Sequence, residues 1–182
     1  KTVLVTGGSL GAGSINKAMV RWLERIAGWE DVQVIWQCGS YYHKQLEAEL
    51  KERLPENVKF MPFLKRMDLA YACADLVVAR AGAGTISELC LLGKAVVLVP
   101  SPNVAEDHQT KNAMALVHKQ AAVMVKDNEV VERLGDVMED LLKNDTERKV
   151  LSDHILALAM KDSDEIIANE ILKIINSGQA KI

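Results

Sequence analysis

Short apolar runs alternate with longer amphipathic stretches from the N-terminus to Val125. Each run is rich in β-branched residues and almost wholly apolar, which is typical of parallel strands covered by helices on both faces. We predict strands at Thr2–Thr6, Val32–Cys38, Val58–Met61, Leu76–Ala79, Ala95–Val99 and Ala122–Val125. We predict helices at Ile15–Ala27, Tyr42–Arg53, Met67–Ala74, Thr85–Leu92 and Asp107–Lys119. This alternation predicts an α/β fold, a Rossmann-like doubly wound parallel sheet of about six strands.

After Val125 the pattern becomes helical only. We predict three C-terminal helices, which pack on the sheet or reach towards another domain, at Glu129–Lys143, Glu147–Met160 and Ser163–Asn176. No flexible linker or internal repeat interrupts the chain, so we predict one domain over residues 1–182. The chain opens at Lys1 directly on a strand-like run without an initiator methionine, from which we expect a piece of a longer protein.

Composition and charge exclude several classes of protein. The chain is 49% hydrophobic and 26% charged, as in globular proteins and unlike disordered ones. Its net charge of −3 gives no global basic surface, so we expect no nucleic-acid partner. No run approaches the ~18 consecutive apolar residues of a membrane span. The spacing of Cys38, Cys73 and Cys90 fits neither a disulfide framework nor a zinc motif, so we expect reduced thiols in or near the core.

Ligands of open α/β sheets bind at the carboxyl ends of the strands, and the segment after the first strand is rich in glycine. Residues 7–14 read GGSLGAGS, and such a loop lets backbone N–H groups approach an anion at a helix N-terminus. The glycine spacing breaks the dinucleotide-binding motif, and Ser14 stands where a P-loop has lysine. We therefore predict a phosphate-binding loop of another kind, with a tight turn as the alternative.

The segment after the fourth strand, residues 80–88, reads RAGAGTISE. Thr85 and Glu88 have the spacing of a capping box, which by itself accounts for both side chains. The functional alternative is a second glycine-rich helix start beside the first, so that two positive helix ends flank a diphosphate. A carboxylate at this place would then suit the cis-diol of a sugar.

Two further segments carry candidate polar contacts. Residues 101–113 follow the fifth strand and hold side chains that can hydrogen-bond sugar hydroxyls, although a lone histidine such as His108 is more often a cap or surface residue. Residues 63–67 follow the third strand, and either form a simple loop or present their backbone to the edge of a planar base.

In combination, the motifs GGSLGAG (residues 7–13), RAGAGTISEL (residues 80–89) and EDHQTKNA (residues 106–113) resemble the C-terminal half of GT-B glycosyltransferases. Within that superfamily they are similar to the bacterial enzymes that transfer N-acetylglucosamine from UDP-N-acetylglucosamine to lipid I, undecaprenyl-pyrophosphoryl-MurNAc-pentapeptide. That reaction makes lipid II for peptidoglycan, the cell-wall polymer that sustains cell shape and cell division. GT-B enzymes pair two Rossmann-like domains and bind the nucleotide sugar mainly in the C-terminal one.

The resemblance implies which residues bind the donor. Gly8 and Ser9 match the loop that contacts the diphosphate, the Leu64 backbone matches the group that pairs with uracil, and Glu88 matches the carboxylate that binds the ribose hydroxyls. The remaining implied substrate-binding residues, around the phosphates and the N-acetylglucosamine, are Arg80, Ala83, Gly84, Thr85, His108, Gln109 and Asn112.

The resemblance also implies an acceptor domain N-terminal to Lys1, which supplies the general base, so we expect no catalytic residue in this domain. The domain alone would bind UDP-N-acetylglucosamine without turnover, and the full-length enzyme would lie on the cytoplasmic face of the cell membrane, contacting it through the other half. We expect no cofactor and no bound divalent cation, because no pair of carboxylates with metal-binding spacing follows a strand. A UDP-N-acetylglucosamine 2-epimerase-like half and a non-catalytic partner-binding Rossmann domain remain alternatives.

Overall fold

The computed structural model describes residues 1–179, so residues 180–182 of the predicted domain lie outside the described residues. The strands are β1 (Thr2–Thr6), β2 (Gln33–Gln37), β3 (Val58–Met61), β4 (Leu76–Ala79), β5 (Val96–Leu98) and β6 (Val123–Met124). The α-helices are α1 (Gly13–Ile26), α2 (Ser40–Leu50), α3 (Met67–Cys73), α4 (Ala83–Leu92), α5 (His108–Val117), α6 (Val130–Lys143), α7 (Asp145–Leu156) and α8 (Ser163–Gln179).

The strands form a parallel sheet in the order β3-β2-β1-β4-β5-β6, which confirms the predicted doubly wound α/β fold. Val3 of β1 stands between Val34 of β2 and Leu76 of β4. The order of strands reverses between β1 and β4, and ligands of such sheets bind in the crevice at the carboxyl ends where this happens. The loops after β1 and β4 are the two glycine-rich segments.

Helices cover both faces of the sheet, as the apolar strands predict. Alternate strand residues point to opposite faces, so Val3 and Val5 join one buried cluster and Leu4 joins the other. Residues of α1, α2 and α6 complete the first cluster, and residues of α3, α4 and α5 complete the second. Trp22 and Trp36, both at most 1% exposed, fill the first cluster.

The three C-terminal helices differ in how they relate to this sheet. Helix α6 packs along α1, where a Cβ on Gly135 would lie 3.0 Å from the Trp22 ring. Helix α7 buries Leu151 and Ile155. The side chains of α8, by contrast, are exposed from Ser163 to Ser177, so this helix does not share in the core of the described residues. No helix among the described residues is both long and apolar enough to cross a membrane.

The cysteines depart in part from expectation. Cys38 and Cys90 are buried and free, as predicted, whereas Cys73 is exposed. Cys73 is the last residue of the short helix α3, where the apolar face is already supplied by Ala70 and Tyr71. The prediction of a core position is therefore wrong for Cys73.

Candidate functional site

The glycine-rich loop between β1 and α1 folds back against the end of β2. Gly11 has φ +86°, and a Cβ there would lie 2.0 Å from the carbonyl oxygen of Cys38. Gly39 faces it, also with positive φ, and its Cβ would lie 2.2 Å from the Gly11 Cα. This contact explains Gly11 and Gly39 as requirements of a tight turn. Gly8 and Ser9 lie at the exposed tip of the loop, beyond that contact.

A buried amide ties this loop to the segment after β3. Gln37, 2% exposed at the end of β2, donates from Nε2 to the carbonyl oxygens of Gly8 (2.9 Å) and Pro62 (3.0 Å). Its Oε1 accepts a hydrogen bond from the Thr6 hydroxyl at 2.6 Å. The Gln37 amide, at the end of β2, thus links the predicted diphosphate loop to the start of the predicted base-binding segment.

Arg80 ties the two glycine-rich segments together. Its Nη1 donates to Asp127 Oδ1 at 2.6 Å and to the carbonyl oxygens of Val99 and Pro100. Its Nη2 donates to the hydroxyl of Ser14, in the first turn of α1, at 3.0 Å. The Ser14 hydroxyl in turn donates to Asp127. The guanidinium therefore lies half-buried among groups of this chain, which makes Arg80 first of all a support for the site.

The start of α4 corrects the predicted capping box. The helix begins at Ala83, after Gly82 at the cap position, and no side chain among the described residues caps it. Thr85 lies within the first turn, and Ile86 makes the first backbone hydrogen bond, to Gly82 (3.0 Å). A capping box needs the hydroxyl at the cap itself, so Thr85 and Glu88 cannot form one. The N–H groups of Ala83, Gly84 and Thr85 precede the first helical hydrogen bond and remain available to an anion.

Glu88 has a different partner. The buried hydroxyl of Tyr71, on α3, donates to Glu88 Oε2 at 3.1 Å. Burial and the adjacent carboxylate raise the pKa of Tyr71, so the phenol stays protonated and remains a donor. Glu88 itself is exposed, on the wall of a groove between α3 and α4 of about 330 Å³. One carboxylate oxygen of Glu88 thus accepts a hydrogen bond from the protein, and the side chain is otherwise open to solvent.

The predicted sugar-binding segment lies beside the second glycine-rich loop. Asn112 donates from Nδ2 to the carbonyl oxygen of Ala81 at 3.1 Å, and the Gln109 Oε1 accepts from the backbone of Ser101 at 2.9 Å. His108 is exposed, and its Nδ1 lies 2.8 Å from the carbonyl oxygen of Ala105. The Nδ1 atom of His108 is therefore engaged by its own loop. Asn112 keeps its Oδ1, and Gln109 keeps its Nε2, for other hydrogen-bond partners.

The backbone before α5 is unusual. Predicted from Asp107, this helix begins at His108, after a short 3-10 turn at Ala105–Asp107. Glu106 and Asp107 both have left-handed φ, +54° and +52°. Such conformations in non-glycine residues cost of order 1–3 kcal/mol each and cluster at functional sites. The left-handed residues therefore lie directly before His108, the first residue of α5.

The segment after β3, residues 63–67, has one exposed and one half-buried apolar side chain at its start. Phe63 is 57% exposed, whereas Leu64 is half-buried against the second apolar cluster. Burial of the Leu64 side chain fixes its backbone, which is the group predicted to pair with the base.

These contacts bring all four predicted segments to one edge of the sheet. Gln37 joins the first loop to the base segment, Arg80 joins the two glycine-rich loops, and Asn112 joins the second loop to α5. Two helix starts with small first residues, at Gly13 and Ala83, flank the crevice between β1 and β4. Helix N-termini carry partial positive charge, so this edge favours a phosphorylated ligand. The described residues contain no cluster of three or more His, Cys, Asp or Glu side chains placed to hold a metal.

Sequence reasoning missed the residues that support this edge: Gln37, Asp127 and Tyr71. Asp127 follows the sixth strand, so a search of every strand end would have found it. Gln37 was visible as a polar residue closing an apolar strand. Tyr71 carried no signal, because a tyrosine on the apolar face of a helix looks like any other core residue.

The comparisons with known proteins identify the family and the fold of this chain. The family described as glycosyltransferase family 28 C-terminal domain matches residues 2–167. A curated relative from Bacteroides thetaiotaomicron, UDP-N-acetylglucosamine–N-acetylmuramyl-(pentapeptide) pyrophosphoryl-undecaprenol N-acetylglucosamine transferase, is 52% identical over 96% of this chain and 47% of its own length. The chain thus spans about half the length of the curated relatives it matches.

Solved structures show the same fold. The crystal structure of Acinetobacter baumannii MurG aligns with a TM-score of 0.83 at 29% identity, over 94% of this chain and 49% of that chain. A UDP-N-acetylglucosamine 2-epimerase aligns with a TM-score of 0.66 at 18% identity, over 100% of this chain and 44% of that chain. At that identity the second likeness concerns the fold alone.

Proposed function

The chain belongs to the family of glycosyltransferase family 28 C-terminal domains, and we propose that it is the donor-binding half of an inverting N-acetylglucosaminyltransferase. The donor is UDP-N-acetylglucosamine, and the acceptor is lipid I, held by an N-terminal domain outside this chain. The proposal follows the name of the relative from Bacteroides thetaiotaomicron, which is 52% identical. The complete enzyme would act as a peripheral protein on the cytoplasmic face of the cell membrane, where its acceptor is anchored.

The observation that carries the proposal is the pair of glycine-rich helix starts on either side of the β1–β4 crevice. A nucleoside diphosphate needs donors for several phosphate oxygens, and the exposed tip of the first loop lies on one side of it, with Ser9 offering its N–H and hydroxyl. The N–H of Gly8 at this tip donates to the Thr6 hydroxyl at 3.3 Å, so Gly8 shapes the tip. Ala83, Gly84 and Thr85 supply N–H groups from the other side. Arg80, paired with Asp127, supports both loops from behind.

The other segments suit the rest of the donor. The Leu64 backbone faces the uracil edge, the Glu88 carboxylate accepts hydrogen bonds from the ribose hydroxyls, and His108, Gln109 and Asn112 lie on the side of the sugar. Glu88 and His108 are exposed, as residues that contact a ligand must be before it binds.

In the proposed reaction the acceptor hydroxyl loses its proton to a base in the N-terminal domain and attacks the anomeric carbon of N-acetylglucosamine. A new C–O bond forms as the bond from that carbon to the diphosphate oxygen breaks, and UDP leaves with the electron pair. Negative charge grows on the β-phosphate, beside the tip of the loop after β1 and the N–H groups at the start of α4. Donors already aimed at that position lower the barrier to departure.

The epimerase alternative is less well supported. It shares the fold, but the epimerase structure is only 18% identical, whereas the relative named as a transferase is 52% identical. Release of UDP-N-acetylmannosamine by the full-length protein would favour the epimerase, and formation of lipid II from lipid I would favour the transferase.

Calorimetric titration of this chain with UDP and with UDP-N-acetylglucosamine tests the proposal directly. We expect both nucleotides to bind and the chain alone to turn neither over. A chain that is folded by circular dichroism and gives no heat with either nucleotide would contradict donor binding, and would favour a Rossmann domain that only binds a protein partner.

A further inference from the structure

Tyr71 and Glu88 are the starting point. Tyr71 is 4% exposed and belongs to the buried cluster beneath α3 and α4, yet its hydroxyl lies 3.1 Å from Glu88 Oε2. Its ring is therefore fixed by packing, and its hydroxyl is a donor at a set position. The carboxylate it meets belongs to an exposed side chain with several rotatable bonds.

Without a partner, an exposed glutamate on a helix samples several rotamers, and only some of them would face a ligand at the carboxyl edge of the sheet. The hydrogen bond from Tyr71 engages Oε2 and leaves Oε1 with its full accepting capacity. The groove beside this carboxylate is bounded by Met67, three residues beyond Leu64 in the predicted base segment. A nucleoside whose base lies at Leu64 would have its ribose near this end of the groove.

We propose that Tyr71 is a positioning residue for nucleotide recognition, which holds the Glu88 carboxylate in the rotamer that receives the ribose hydroxyls. The inference rests on the proposed ribose role of Glu88. Tyr71 also lines the groove, and its role in this inference is exerted through the Glu88 carboxylate. It stays protonated over the working range of pH, because burial and Glu88 raise its pKa.

The test is a double-mutant cycle on nucleotide affinity. UDP and 2′,3′-dideoxy-UDP are titrated into the wild type, Tyr71→Phe, Glu88→Gln and the double variant. Tyr71→Phe keeps the ring and its packing and removes the hydroxyl alone. Tyr41→Phe is the matched control, because Tyr41 is 78% exposed on α2, on the opposite face of the sheet.

We expect Tyr71→Phe to weaken UDP binding by about three- to tenfold, because the Glu88 carboxylate would then occupy the binding rotamer only part of the time, and to leave binding of the dideoxy nucleotide within about twofold. The double variant should bind UDP no more weakly than Glu88→Gln alone, and Tyr41→Phe should match the wild type.

Each contrary result has its own meaning. Equal losses for UDP and the dideoxy nucleotide would show that Tyr71 shapes the fold of the groove, and would overturn the inference. Fully additive losses in the double variant would also overturn it, because Tyr71 would then act independently of Glu88. If Glu88→Gln weakened UDP but Tyr71→Phe did not, the inference alone would fail. If Glu88→Gln had no effect, the ribose role itself would fail and the inference with it.

Discussion

Arg80 and Asp127 form an ion pair, with Nη1 2.6 Å from Oδ1, that joins the end of β4 to the loop after β6. The two side chains are 18% and 23% exposed, so water screens this pair less than the ion pairs on the outer helices. Asp127 also accepts the Ser14 hydroxyl, which brings the start of α1 into the same network.

Replacement of Asp127 by alanine should therefore destabilise the fold. Arg80 would keep its charge in a half-buried place without a counter-ion, and we expect the free energy of unfolding to fall by about 1.5–3 kcal/mol in urea denaturation. Asp136→Ala is the control, because its partner Arg25 and Asp136 are both largely exposed, and such pairs contribute about 1 kcal/mol or less. Equal losses in the two variants would contradict a special role for the Arg80–Asp127 pair.

Alanine substitutions at Gly84 and Gly11 should have opposite effects on the stability of the fold. No described atom would lie within 4 Å of a Cβ at Gly84, so Gly84→Ala should raise the free energy of unfolding by about 0.5–1 kcal/mol. UDP affinity should stay within about twofold, because the ligand contact is a backbone N–H. A Gly84→Ala variant less stable than the wild type would contradict the open environment at α4.

Gly11→Ala should lower the free energy of unfolding by at least about 2 kcal/mol, because its Cβ would overlap the Cys38 carbonyl at a left-handed φ.

The base segment predicts a preference for uracil. The proposed pairing of the Leu64 backbone with the uracil edge would present the wrong donor and acceptor pattern to cytosine, and an unpaired buried polar group costs about 1–3 kcal/mol. UDP should therefore bind about tenfold or more tightly than CDP or ADP in competition titrations. If either competitor bound within about threefold of UDP, the assignment of this segment to the base would be wrong.

Nucleotide binding should not depend on a divalent cation. The proposed diphosphate contacts are groups at the tip of the loop after β1 and backbone N–H groups in the first turn of α4, whose partial positive charge needs no metal. UDP affinity measured by calorimetry with Mg²⁺ and with a chelator should agree within a few-fold. An increase of about tenfold or more with Mg²⁺, equivalent to about 1.4 kcal/mol, would show that the cation takes part in the site.

The thiols should divide into one reactive group and two protected ones. Cys73 is exposed and should react with an alkylating reagent in the folded protein at pH 8. Burial raises the pKa of Cys38 to about 11 and also raises that of Cys90, so both remain neutral and shielded. Because their folded pKa values are raised, burial of the neutral thiols stabilises the fold at neutral pH, and this contribution is lost as the pH rises through those values. Mass spectrometry that found Cys38 labelled before unfolding would contradict the buried position.

The sequence was sufficient for most of the fold because apolar patterning determines which residues can be buried. β1, β3 and β4 have the predicted bounds, since each is an apolar run that ends at a glycine, proline or charged residue. The starts of α1 and α4 were predicted two residues late. Gly13 and Ala83 belong to loops by composition, but small residues also suit the first turn of a helix.

The candidate site was predictable only in part. The four segments follow from the rule that parallel strands share one carboxyl edge, which needs no knowledge of side-chain contacts. The Thr85–Glu88 capping box failed because it assumed the later helix start. The partners Tyr71 and Asp127 lie 17 and 47 residues from the side chains they contact, and no local pattern signals such pairings.

The hydrogen bonds of Gln37 affect how much conformational entropy the site would lose when a ligand binds. Its amide bonds the carbonyl oxygens of Gly8 and Pro62, so these two residues, one in the loop after β1 and one at the start of the segment after β3, are held together in the folded chain. Fixing the backbone of one residue costs roughly 1–2 kcal/mol of conformational entropy, and for these two residues that cost belongs to folding and not to the binding of a ligand. In the proposed complex, this part of the ordering cost would therefore not reduce the affinity for the nucleotide.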